Sequence, residues 1–267
     1  MTVVNNKYKD LSYLNKDFLS NTPFPHIILD NFLEESFYKN LVNEREKINF
    51  KNGKKFENNV EKNKWISKNT ALPSKIKEII DFLNSSSWVN NLKLLTNMNC
   101  IFSTEVGNTD LANYHEMSKS GFLGSHIDHA CDPKSGMPHV LNIILYLTHE
   151  WKKEWGGFTT LYNLDGSNIE KTIEYIPNRA IIFLHTPYSF HGVSKLSNNN
   201  LNRSSIYVDY YSNSYDPYKK LKLKFSNKWF KHGTCFVLEN KFDYLKVQNW
   251  KYTKTLIRYK INRFLNG

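Results

Sequence analysis

Gly124-Ser125-His126-Ile127-Asp128 is the stretch on which the reading of this chain turns. Along an extended strand, side chains two apart share a face. His126 and Asp128 therefore present an imidazole and a carboxylate to one side, with Ile127 turned into the opposite layer. A His-x-Asp pair alone arises too readily by chance to carry a conclusion, so its surroundings decide. Downstream stand Val140–Leu147 (VLNIILYL), Trp155–Tyr162 (WGGFTTLY), Pro177–Phe183 (PNRAIIF), Ser189–Val193 (SFHGV) and Arg203–Val208 (RSSIYV). From Ile101 to Tyr211 the chain is built of such short β-type runs separated by polar turns. Seven or eight strands over that length predict an all-β sandwich or jelly roll.

Two His and one carboxylate on a metal leave coordination positions free, the ligand set of non-haem Fe(II) oxygenases. His-x-Asp is followed in order by Tyr-Leu, Gly-Gly-x-x-x-Leu-Tyr, Asn-Arg-x-x-x-Phe, His-Gly-Val and Arg-x-Ser. Over roughly residues 110–212 this order resembles the prolyl 4-hydroxylase-like branch of the 2-oxoglutarate/Fe(II)-dependent dioxygenase superfamily. Phe24–Leu33 (FPHIILDNFL) is similar, more loosely, to the N-terminal part of the same branch.

The resemblance implies a mainly β protein with flanking helices, its core a double-stranded β-helix (jelly roll). It implies Fe(II), 2-oxoglutarate and O2 as cofactors, with ascorbate a candidate stimulant. His126, Asp128 and His191 are then the metal ligands and catalytic centre. His185 shares a segment with His191, but only His191 is followed by Gly-Val and precedes Arg203 by the family's spacing. Arg203 and Ser205, with the Tyr146 hydroxyl, are implied at the distal carboxylate of 2-oxoglutarate. Arg suits that task because its planar fork grips a carboxylate bidentately. Tyr114 is implied at the iron-proximal end, and Asn142 between cosubstrate and substrate.

The activity implied is hydroxylation of an unactivated aliphatic C–H, on a prolyl or other peptidyl residue. The alternative is a small molecule: a free amino acid, lipid or sugar precursor. Asp128 argues for hydroxylation, since halogenating relatives carry a small residue in its place. Two readings of other classes stand beside this one. A catalytically silent jelly-roll binding module would be marked by a lost ligand or anchor, and none is lost. A basic nucleic-acid-binding protein would use the jelly roll as a scaffold, but no sequence-reading nucleic-acid motif is present.

Composition bounds the rest. The 267 residues are 40% apolar and 15% aromatic, the balance of a folded chain rather than a disordered one. No apolar run approaches the ~20 residues of a membrane span, and no signal-peptide core is seen. Cys100, Cys131 and Cys235 are widely spaced and form no CxxC, so a cytoplasmic setting is expected. The net charge of +11 is concentrated: residues 217–267 hold 13 Lys/Arg against Glu239 and Asp243, and the remainder is balanced. This asymmetry suggests an anionic partner or a peripheral membrane surface, against the plainer reading of a solvated helical cover.

The chain divides into an N-terminal helical and strand buttress (1–100), the β-helix core (101–212) and a basic helical extension (213–267). Within the buttress, Ile27–Leu29 reads as a strand and Asn31 as the cap of a helix over Leu33–Lys47. Residues 48–72 read as a polar loop and candidate lid, as does Cys131–Met137. Helices follow over Ser74–Leu83 and Trp88–Met98. A last helix over Leu245–Phe264 places Trp250, Ile257, Ile261 and Phe264 near one stripe. His139 and His149 read as surface residues. His129 reads as a loop residue, with a second metal cluster beside Cys131 and Asp132 as the alternative.

Overall fold

Strand β5 (Leu111–Ile127), 17 residues long, belongs to both halves of the sheet. Its first half pairs with β11 (Arg203–Ser212), and its second half with β10 (His191–Val193). At the crossing point Ser120 takes φ 61° and Gly121 follows. On the other edge of β5, β3 (Glu61–Lys68) skips in register between Lys62 and Lys64 at the same place. Such an irregularity bends the strand and resets which side chains face which way. A Cβ on Gly121 would lie 2.7 Å from the Ser118 carbonyl oxygen and 3.1 Å from that of Lys62, so the bend needs glycine there.

The computed structural model describes residues 2–103, 111–132, 134–197, 201–213, 233–238 and 240–266. Its antiparallel sheet runs β1 (His26–Leu29), β9 (Ala180–Leu184), β6 (His139–Tyr146), β11, β5, β10, β7 (Thr159–Tyr162), β8 (Ile169–Ile173). Off this path β2 (Lys54–Phe56) pairs with β3, β4 (Ile101–Ser103) with β11, and β12 (Cys235–Phe236) with β5. The sheet is curled into a half-barrel, a jelly-roll core. The eight strands β4 to β11 match the number expected between Ile101 and Tyr211.

Alternation sorts the two faces. Leu141, Ile143 and Leu145 of β6 and Ile206, Val208 and Tyr210 of β11 join one apolar cluster with Phe37, Leu41, Ile79, Leu83, Trp88 and Leu92. These last come from helices α2 (Glu35–Arg45), α3 (Ser74–Asn84) and α4 (Ser86–Thr96), which with α1 (Asn15–Ser20) buttress the outer face. Burying each such side chain contributes about 1.5–3 kcal/mol. Trp88 is pinned as well as packed: its Nε1 donates to the Tyr210 hydroxyl (3.0 Å), which donates to the Leu83 carbonyl (2.8 Å). The alternate residues Asn142, Ile144, Ser205, Tyr207 and Asp209 line the cavity on the inner face.

The structure corrects three local expectations. Helix α2 is capped by Glu34, whose carboxylate accepts from the Ser36 and Phe37 amides, while Asn31 sits at φ 53° before the helix. Residues 48–72 are not a plain loop, since β2 and β3 form a hairpin there and β3 pairs along β5. β3 reads as polar because Glu61 and Lys64 line the cavity. His139 is buried, 1% exposed, because β6 is an inner strand between β9 and β11. The last helix, α5 (Trp250–Asn266), turns Tyr252 and Tyr259 inward onto Phe236 and Phe190, leaving Trp250, Ile257, Ile261 and Phe264 exposed. Residues 214–232, which carry much of the basic extension, lie outside the described residues.

Candidate active site

His191 and His126 are register partners across β10 and β5, with ring centroids 4.3 Å apart. Each ring is fixed in the same way. The Nδ1 of His126 lies 2.9 Å from the Gly124 carbonyl oxygen, and that of His191 lies 3.0 Å from the Ser189 carbonyl oxygen. A carbonyl only accepts, so Nδ1–H donates in both and each Nε2 keeps its lone pair. Both lone pairs meet Asp128: His126 Nε2 is 3.4 Å from Oδ1 and His191 Nε2 is 3.4 Å from Oδ2. Asn142 Nδ2 donates to Asp128 Oδ2 (2.9 Å), fixing the carboxylate as outer partners of metal ligands do.

Three acceptors converging on one point fit a cation there and repel one another without it. Burial would raise the Asp128 carboxyl, but the flanking His191 and His126 imidazoles hold it well below its ordinary value. Burial and the neighbouring His126 push His191 down to about 4. At neutral pH the carboxylate is charged and His191 neutral, the forms that bind a metal. His185, the rival on the same segment, instead stacks on His139 (4.2 Å, 12°) with its Nδ1 3.0 Å from the His139 carbonyl oxygen.

The group opens on a cavity of about 340 Å³. Arg203 enters its wall almost wholly buried, 4% exposed. Its guanidinium lies over the Tyr146 and Tyr175 rings, 5.0 and 5.2 Å from their centroids. Nε donates to the Gly157 carbonyl (2.7 Å), and the other nitrogens reach Thr159 Oγ1 (3.3 Å) and Ser205 Oγ (3.4 Å). All three partners are neutral, and no described carboxylate pairs with it. A buried guanidinium so placed fits a carboxylate ligand. Tyr146 stands behind Arg203 with its hydroxyl 2.5 Å from Thr159 Oγ1.

Tyr114 is not in this cavity. Opposite Ile206 in register, it faces the helices, is fully buried in the apolar cluster and donates to Glu116. The bend at Ser120 and Gly121 resets the alternation along β5, so His115 faces the cavity instead, stacked on Tyr207 at 3.9 Å. Burial, with the Lys64 and Arg203 charges, holds His115 well below the usual histidine range. Its Nε2 and the Asn142 Oδ1 are buried acceptors or donors without a partner among the described residues. Thr159, Lys64 and His115 were missed from sequence. Thr159 was legible, because it follows the Gly-Gly motif two residues before Leu161, which pairs with His191.

His129 and Asp209 also line the cavity, Asp209 beside the Asn142 amide that holds Asp128. Burial, against the pull of the His129 imidazole, pushes the Asp209 carboxyl up to about 7, and the Asp128 charge adds to the rise.

Residues 110–210 match the family model described as the 2OG-Fe(II) oxygenase superfamily. No curated protein sequence matches. Among solved structures the chain is similar in fold to a Pseudomonas putida prolyl-4-hydroxylase, with TM-score 0.56, 12% identity, and 76% of this chain and 100% of that one covered. It is similar also to prolyl 4-hydroxylases from Phytophthora capsici, with TM-score 0.55, 15% identity, and coverage of 96% and 84%. A third is a 2OG-Fe(II) oxygenase family oxidoreductase from Burkholderia pseudomallei, with TM-score 0.51, 13% identity, and coverage of 78% and 92%.

Gly192 lets β10 lie close on β5: a Cβ there would sit 2.6 Å from the Leu123 carbonyl oxygen and 3.1 Å from that of Gly124. Gly192→Ala is expected to push His191 off its partner. Fe(II) affinity should fall at least about tenfold while the far-ultraviolet circular dichroism stays native. Unchanged affinity would show that this close approach does not position His191.

Proposed function

We propose, from the premise that residues 110–210 are a domain of the 2OG-Fe(II) oxygenase superfamily, a dioxygenase using Fe(II), 2-oxoglutarate and O2, that His126, Asp128 and His191 hold the metal. The observation that carries this is the convergence of two tautomer-fixed Nε2 atoms on one ionised carboxylate. Arg203, with Ser205 and Thr159, takes the distal carboxylate of 2-oxoglutarate, and Tyr146 and Tyr175 hold the guanidinium plane. Asn142 keeps Asp128 oriented, and Ile144 and Phe236 help keep the cavity dry. When bound, Fe(II) supplies the redox chemistry in which 2-oxoglutarate, O2 and a substrate C–H give succinate, CO2 and an alcohol. The residues' own part is to bind, orient and exclude water.

The substrate we propose is a prolyl or other peptidyl residue. Two of the structures similar in fold are prolyl 4-hydroxylases, and the cavity wall carries the polar pair Glu61 and Lys64 of β3. Incubation with proline-containing peptides, Fe(II) and 2-oxoglutarate should give a peptide one oxygen heavier by mass spectrometry, with matching succinate. Succinate stimulated by free amino acids, lipids or sugars but never by peptides would overturn the peptidyl assignment.

A second proposal concerns α5. Its exposed face carries Trp250 (53%), Ile257 (48%), Ile261 (47%) and Phe264 (86%), on a helix that also bears Lys251, Lys254, Arg258 and Lys260. Apolar anchors among cations are the composition of a helix lying on an anionic lipid surface. Vesicles containing phosphatidylglycerol should sediment the protein where phosphatidylcholine vesicles do not, and Ile257→Glu should abolish the difference. Equal recovery with both lipids would rule the surface out.

A further inference from the structure

Beyond the proposed metal ligands, the inner wall holds a second group of the same composition. His129, His139 and Asp209 each offer one ligand atom, all within 4.8 Å of one another. His139 Nε2 lies 3.5 Å from Asp209 Oδ1, and His129 Nε2 lies 3.9 Å from Oδ2. The first group shows 3.4 Å at both corresponding places. The three residues come from β6, β11 and the segment just beyond β5, so the sheet itself brings them together.

Their orientation is set by surrounding structure. His139 Nδ1 lies 3.1 Å from the His129 carbonyl oxygen, which can only accept, so the lone pair of Nε2 faces the Asp209 carboxylate. Stacking holds the His139 ring between His129 (4.9 Å, 24°) and His185 (4.2 Å, 12°). The Asn142 amide reaches both carboxylates, 2.9 Å to Asp128 and 3.4 Å to Asp209. Two carboxylates sharing one amide in a buried wall repel, and no described Lys or Arg pairs with Asp209. Buried carboxylates are held by a cation or a metal.

We infer that His129, His139 and Asp209 form a second divalent-cation site, distinct from the catalytic group. Imidazole with carboxylate selects a borderline ion, Zn(II) foremost. His129 Nε2 is also 3.0 Å from the Tyr211 hydroxyl, a contact that the ion displaces. His129 and Asp209 line the cavity, where water or a substrate oxygen completes the ion's coordination.

The test is equilibrium dialysis of the full chain, free of any polyhistidine tag, against Zn(II) alone, with bound metal counted by atomic emission. Wild type should take up two equivalents. His129→Ala and Asp209→Asn should each retain one, the other weakened at least about tenfold. A His126→Ala/His191→Ala double variant should also retain one, so failure of the catalytic assignment stays distinguishable from failure of this one. One equivalent in wild type that is lost in the His126→Ala/His191→Ala variant, or two in a folded His129→Ala and Asp209→Asn, would overturn the second site. Thermal melts on every variant establish folding, and His129, only partly buried, is the substitution the fold tolerates best.

Discussion

The cross-strand pair His191–His126 is the constraint on which the rest depends. A strand has a side-chain period of two, so a one-residue slip between β10 and β5 would send one imidazole to the opposite face. The register is protected at three points. Gly192 permits the close approach, the carbonyls of Gly124 and Ser189 lock the two rings, and β12 closes the outer edge of the same stretch at Phe236 and Cys235. The placement of His126 and His191, the two proposed imidazole ligands, is thus a property of the sheet, with Asp128 one residue beyond the end of β5.

A polar inner face is tolerable only because the outer face is not polar. The same strands that expose Asn142, Ser205 and Asp209 inward drive Leu141, Ile206 and Val208 into the helical buttress. Behind Tyr114 a second polar group lies in the interior: Arg45 donates to Ser204 and Glu116 accepts from Tyr114, its carboxyl raised by burial, while Arg45 Nε and Glu116 Oε2 have no partner among the described residues. Rigid packing on one side lets His115, His126, His129, His191, Asp128, Asp209 and Arg203 keep fixed positions on the other.

The jelly-roll core and its inward residues were legible because β6 and β11 alternate cleanly, and because Arg203 and Ser205 are two apart on one of them. What escaped did so for physical reasons. Tyr114 was misplaced because Ser120 and Gly121 reset the pleat between it and His126, and a positive φ at a serine leaves no mark in composition. The β2–β3 hairpin looked like a loop because a strand that borders a polar cavity and solvent has few apolar residues to show. His139 looked exposed because histidine on a central strand carries no sequence sign of burial. The apolar stripe of α5 was read correctly as a stripe. Which side of the helix packs is decided by Tyr252 and Tyr259 meeting Phe236 and Phe190.

The measurement that tests the account most directly is an anaerobic titration of Fe(II) into protein with 2-oxoglutarate, followed by visible absorption. The account predicts a metal-to-ligand charge-transfer band that needs both components. The band should vanish in His126→Ala and demand far more 2-oxoglutarate in Arg203→Ala. No band in folded wild type, or a band indifferent to both substitutions, would contradict it.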